Sequence, residues 1–201
     1  FNTLSTERSY VPESTIDIYG VEASASLTVS GVRLPETGFA PGILTVLPAQ
    51  PVSISYAETA VRLQIPSLGV DIPVVGIPLN EDGWDVTWLN RQAGWLAGTS
   101  FPTWDGNSVL TAHVYDANGL PGPFVNLYTL KYGAPIYISM GGLRYRFEVR
   151  QTYYASAENL APLRHETLPW LTLITCRGYD ESSNSYAQRM VVRAVLVSVE
   201  P

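Results

Sequence analysis

Two hundred and one residues, 46% of them apolar, suffice for one well-cored domain or for one domain with a long arm. Twelve Lys+Arg against eighteen Asp+Glu leave a net charge of −6, which argues against a nucleic-acid partner held through its phosphates. No apolar run approaches the ~20 residues of a membrane helix, and a single cysteine excludes an internal disulfide framework. The chain starts at Phe1 rather than Met, so a longer parent, membrane-tethered or multidomain, is expected.

In chain order, residues 1–59 are rich in Ser, Thr, Glu, Pro and Gly, with strand-like alternation only in Thr15–Tyr19 and Ala23–Val29. Such a segment carries too little apolar mass for its own core and reads as an extended N-terminal arm. From residue 60 to 201 the text changes to short β runs between turns. Strands are expected at Val61–Ile65, Val70–Val75, Asn107–Val114, Pro135–Met140, Leu143–Tyr153, Leu171–Cys176 and Gln188–Val199. Only Phe124–Leu130 and Ala157–Pro162 read as brief helical turns. The spacing predicts a mainly β chain folded as a closed or nearly closed barrel with short helices. Leu171–Ile174 is apolar on both faces, as a central strand covered on two sides requires.

Cys176 ends the run Leu171–Cys176, where a substrate can reach a thiol that mid-strand packing would hide. A nucleophilic thiol also needs a nearby positive charge. Of the two histidines, His113 closes the strand Asn107–Val114, whereas His165 lies in a charged loop and reads as solvated. Cys176 and His113 meet only if their strands run parallel. Arg189 follows the cysteine by thirteen positions on what should be the returning strand of a hairpin. Arg193 shares its face but lies about 13 Å further on, at ~3.3 Å per residue, so Arg189 is the better partner for Cys176. Glu81, Asp82 and Asp85 read as a solvated turn.

Thr172-Leu173-Ile174-Thr175-Cys176, an upstream strand-end His113 and a downstream strand Arg189 together resemble the sortases, bacterial cell-surface cysteine transpeptidases built on an eight-stranded β-barrel. The resemblance spans about residues 60–199. It implies Cys176 as nucleophile toward the Thr–Gly carbonyl of an LPxTG-like sorting signal on surface proteins. It implies His113 as acid and base, Arg189 as substrate-binding and oxyanion-stabilising group, and Thr175 as support. A thioacyl-enzyme would pass its acyl group to an amine on peptidoglycan or on another protein, outside the cytoplasm. The segment Tyr154–Pro169 falls where sortases build a substrate wall; it lacks an acidic cluster, so neither metal nor other cofactor is expected. Two other classes compete: a hydrolytic cysteine peptidase, in which water resolves the thioester, and a non-catalytic β-barrel binding module.

The arm itself contains Leu34-Pro35-Glu36-Thr37-Gly38, an LPxTG pentapeptide. No membrane helix and basic tail follow it as they would a true sorting signal. The 22 residues from Gly38 to Ala60 span up to ~70 Å when extended, enough to reach round a barrel of about 140 residues, whose radius of gyration is ~14 Å. The pentapeptide is therefore a tethered substrate mimic, a plain linker, or a substrate for another molecule.

Overall fold

A computed structural model of the chain describes residues 32–201; the strands expected at Thr15–Tyr19 and Ala23–Val29 lie outside these. Eight strands follow one another along the sequence: β1 Ala57–Ile65, β2 Val70–Ile77, β3 Ala93–Leu96, β4 Asn107–Thr111, β5 Pro135–Met140, β6 Leu143–Ala155, β7 Trp170–Asp180 and β8 Ser185–Glu200. They close into a barrel in the order β1-β2-β3-β4-β7-β8-β6-β5. The helical content of the described residues is three 3-10 turns, at Pro66–Leu68, Leu127–Thr129 and Ala161–Leu163. Residues 32–56 form neither helix nor strand.

Alternation decides which side chains fill the barrel. Val61, Leu63 and Ile65 of β1, Leu171 and Leu173 of β7, and Val192 and Ala194 of β8 join one core cluster with Phe124, Ile136 and Phe147. Ile174 and Val191 belong to a second cluster on the other face, with Leu34, Trp84, Leu89, Leu96 and Val109. All six residues from Leu171 to Cys176 are buried, so β7 is covered on both sides, as its unbroken apolar run requires.

Several strand ends differ from the sequence reading by a few residues, and two of them bear on the site. β7 does not stop at Cys176 but continues to Asp180, where Tyr179 pairs with Tyr186 across the β7–β8 hairpin; their rings pack at 5.2 Å, the kind of cross-strand aromatic contact that extends a ladder. β4 stops at Thr111, so His113 lies just past its strand. β3, reading only Ala-Gly-Trp-Leu, has no alternation to announce it.

The joint between β4 and β7 is parallel, with Thr111 opposite Ile174. A buried amide locks it. Asn107 Nδ2 donates to the carbonyls of Pro162 and Arg164 at 2.8 and 3.0 Å, and Thr172 Oγ1 donates to Asn107 Oδ1 at 2.6 Å. One side chain thus ties β4, β7 and the β6–β7 connection. Asn107→Ala strands these groups without partners, which should lower stability by about 2–3 kcal/mol. The check is the denaturant midpoint at unchanged slope; an unmoved midpoint would show that the amide contributes nothing to the joint.

Candidate active site

The register of β7 fixes the site. Cys176 stands directly opposite Arg189 on antiparallel β8. On its other side, the pairing of Thr111 with Ile174 in parallel strands brings the chain two residues on, at His113, level with Cys176. Thr175 holds that alignment past the end of β4, its Oγ1 donating to the Ala112 carbonyl at 2.8 Å. Cys176 shares the face of Ile174, so the thiol looks outward from the barrel wall into the second cluster's side rather than into the barrel interior.

His113 is seated by the loop behind it. Phe124 N–H donates to its carbonyl and Gly122 N–H to that of Val114. A Cβ at Gly122 would fall 2.2 Å from the His113 carbonyl oxygen, so only glycine permits this approach. Asp116 Oδ1 accepts the amides of Asn118 and Leu120 and shapes the rest of the loop. Both ring nitrogens of His113 are buried without a hydrogen-bond partner.

The outward face of the thiol is occupied by the chain's own arm. Thr37 N–H donates to Cys176 Sγ at 3.0 Å, and Cys176 N–H donates to Thr37 Oγ1 at 2.9 Å. Thr37 Oγ1 lies 3.4 Å from Thr175 Oγ1. The Thr37 carbonyl accepts from Val114 N–H at 2.8 Å, and the Pro35 carbonyl accepts from Arg189 Nε at 2.8 Å. Leu34 N–H donates to the Ala157 carbonyl at 2.7 Å, and the Leu34 side chain is 1% exposed among Trp84, Ile174 and Val191. Downstream, the Phe39 ring packs against the His113 ring at 5.2 Å between centroids, tilted by 48°. Its N–H donates to the Tyr115 carbonyl, and its own carbonyl accepts from Tyr186 Oη at 2.7 Å. Within the pentapeptide, Leu34, Pro35 and Thr37 are buried, Gly38 is half-buried and Glu36 is exposed. The one position that an LPxTG pattern leaves free is the one that faces solvent.

Electrostatics follow from this burial. Desolvation pushes the Cys176 thiol up, with the Arg189 guanidinium and the Thr37 hydrogen bonds opposing it. Desolvation pushes the His113 imidazole down, against the carbonyls of Thr87 and Thr37 and the charge of Asp116. The covered pair is therefore neutral thiol and neutral imidazole. Arg189 is itself 4% exposed and donates Nη1 to the Tyr186 and Gln188 carbonyls, which fixes its fork. Arg193 serves elsewhere: it pairs with Glu166 at 2.7 Å and lies over the Trp170 ring. His165 is exposed.

Three contributors carried no signal in the sequence. Val114 and Ala157 act through their backbones, which any residue supplies, and Tyr186 lies in a stretch that reads as loop. In the segment 154–169, the Ala157 carbonyl accepts from Leu34 N–H, and Leu160 and Leu163 pack against the cluster that contains Leu34.

The sortase domain family matches residues 63–197. Among solved structures, sortase A from Corynebacterium diphtheriae is 27% identical with a TM-score of 0.60; the match covers 73% of this chain and 64% of that one. A lid mutant of the same enzyme is also 27% identical with a TM-score of 0.58, covering 75% and 76%. Sortase C-1 from Actinomyces oris is 31% identical with a TM-score of 0.57, covering 69% and 73%. A comparison with curated proteins gives no match. With the family match running over most of the barrel, the chain belongs to the sortase family.

Proposed function

We propose that the chain is a cysteine transpeptidase that cleaves an LPxTG-like signal between Thr and Gly, and that residues 32–45 form a strap holding a copy of that signal in the groove. The observation that carries this reading is the placement of Thr37 on Cys176 through its amide and its hydroxyl. A lid is named for the Corynebacterium diphtheriae enzyme; the strap is the corresponding feature we assign here. Its hold is a buried leucine worth about 1.5–3 kcal/mol together with backbone hydrogen bonds from Leu34 to Thr45, whose N–H donates to the Ala117 carbonyl at 2.7 Å.

With a substrate in the strap's place, Cys176 passes its proton to His113 and the resulting thiolate attacks the Thr carbonyl carbon. A carbon–sulfur bond forms and the oxygen takes the charge. Val114 N–H, which meets the Thr37 carbonyl oxygen, is the donor placed for that oxygen. Arg189, which holds the carbonyl two residues upstream, docks the substrate strand and supplies the fixed positive charge beside the thiolate. The carbon–nitrogen bond to Gly then breaks, and His113 as imidazolium gives its proton to the departing amine. An incoming amine attacks the thioester carbon and loses its proton to the imidazole; the carbon–sulfur bond breaks, Cys176 leaves as thiolate, and the imidazolium returns the proton to restore the thiol. Partners are thus LPxTG-bearing surface proteins and an amine acceptor outside the cytoplasm.

Mass spectrometry of a sorting peptide incubated with the protein and glycinamide should show cleavage after Thr, a transient thioester on Cys176 and a ligated product. Cys176→Ala should give none of these. Product containing only free Thr carboxylate, whatever the amine concentration, would favour a hydrolase; turnover retained in Cys176→Ala would remove the thiol from the mechanism.

The strap makes a second prediction. Leu34→Ala removes the buried anchor and leaves every barrel residue in the chain unaltered, so alkylation of Cys176 by iodoacetamide should accelerate at least about tenfold. A group whose pKa is raised in the closed state supports closure below its ordinary pKa and withdraws that support as pH rises through the closed-state value. Cys176 is such a group, and His113, lowered by burial, is the converse: it withdraws support as pH falls. Closure should thus be firmest between the ordinary His and Cys values, about 6.5 to 8.5. The alkylation midpoint of the native chain should lie above that of Leu34→Ala; coincident midpoints and rates would mean that the strap does not cover the thiol.

A further inference from the structure

The strap makes contacts upstream of its pentapeptide. Val32 is half-buried and packs against the same apolar cluster that buries Leu34, while Arg33 between them is exposed. This is the alternation of an extended chain, in which every second side chain shares a face. Arg33 pairs with Glu158 at 3.6 Å, both side chains more than half exposed, an arrangement worth little. Beside Val32 lies a groove of about 180 Å³ lined by Leu79, Trp84, Leu160, Leu163 and Arg164. At ~30 Å³ for a water in the liquid, it has room for several more carbon atoms than valine carries.

The walls of this groove are held by bonds that do not involve the strap. Trp84 is buried, its Nε1 donating to the Ala97 carbonyl at 2.9 Å. Leu160 and Leu163 bracket the turn Ala161–Leu163, which Leu163 N–H closes on the Leu160 carbonyl at 2.9 Å. The carbonyls of Pro162 and Arg164, on either side of Leu163, are the two that the buried Asn107 amide holds. An incoming side chain therefore meets a formed surface and orders little to bind it. Of the lining residues only Arg164 is charged, and it is exposed.

We propose that the groove of Leu79, Trp84, Leu160 and Leu163 is a further subsite, which reads the residue two positions before the leucine of the sorting signal and takes an apolar side chain there, leucine or phenylalanine in preference to valine. The inference rests on the reading that the strap lies as a substrate lies. A substrate strand then brings its own side chain to the place of Val32, and the residue between, at the place of Arg33, is left free as the third residue of the pentapeptide is. The subsite lies upstream of the bond that breaks and touches neither Cys176 nor His113. Its contacts are the same before and during the reaction, so they act on KM and leave kcat alone. The strap occupies the groove with valine, which does not fill it. A substrate with a larger apolar residue there gains a contact that the strap lacks, and this favours its entry over the tethered copy.

The test uses the full chain, glycinamide as acceptor, and peptides acetyl-X-Arg-Leu-Pro-Glu-Thr-Gly-Gly-amide in which X is Ser, Val, Leu, Phe or Glu. Product masses over time give kcat/KM, and intact mass reads thioester on Cys176. The Leu peptide should exceed the Ser peptide by at least about tenfold, with each buried methylene contributing about threefold to fourfold and the difference lying in KM. Leu160→Ser should shrink the ratio of Leu to Ser peptide, a readout from which general loss of activity cancels. In the chain itself, Val32→Leu should slow the alkylation of Cys176 by iodoacetamide and Val32→Ser should hasten it, each by about threefold or more. Equal kcat/KM for the Ser, Val and Leu peptides overturns the subsite and leaves the reading of the site intact. A Glu peptide that outruns the Leu peptide also overturns it, since Arg164 rather than the apolar wall would then read the position. If no thioester forms with any peptide, the reading of the site fails and the subsite falls with it.

Discussion

The site depends on β7 lying between a parallel neighbour and an antiparallel one. Against β8, the ladder sets Cys176 opposite Arg189; against β4, the pairing of Thr111 with Ile174 carries His113 alongside. Both neighbours are fixed to within one residue by hydrogen bonds, and a slip of one residue would turn the thiol to the other face of the sheet. The Asn107 amide, buried at 1% exposure, guards against that slip at the opposite end of the same joint. Backbone pairing thus brings Cys176, Arg189 and His113 together, with the loop behind His113 seating its main chain.

The outward direction of Cys176 explains why the arm matters. The face of β7 that carries Ile174 and Cys176 would lie open without residues 32–40, and Leu34 completes an apolar cluster assembled from β2, β4, β7 and β8. On the proposed function a substrate would supply the same leucine to the same place. The apolar floor under Leu34 would then select that residue, the partners of the strap at Ala157, Val114 and Arg189 would select an extended strand, and the solvent-facing position of Glu36 would leave the third residue free. Covering the thiol by a segment of matching sequence uses the recognition chemistry that a substrate would use.

The barrel was legible because its long strands alternate or run apolar in the way β1 and β7 do. Ala93–Leu96 was hidden by its brevity, and the continuation of β7 by Arg177-Gly178, which reads as a loop start although Gly178, at φ 72°, only bends the ladder. Cys176, His113 and Arg189 could be singled out from their types and strand positions. The parallel course of β4 and β7 could not, since pairing partners 63 residues apart leave no local trace. Val114 was out of reach for a different reason: its contribution is a main-chain N–H, and a side-chain alphabet does not record where such groups point. The pentapeptide was visible as a motif, but its seat on the thiol is a matter of tertiary contact.

Disulfide trapping tests most directly whether the pentapeptide sits on the nucleophile. In Thr37→Cys the new thiol replaces a side chain whose oxygen lies 2.9 Å from the Cys176 amide. Mild oxidation of the dilute full chain should therefore give a bond between positions 37 and 176 within one molecule, seen as a linked peptide pair by mass spectrometry with no change in oligomeric state. Two free thiols after oxidation, or linkage only between molecules, would contradict the account.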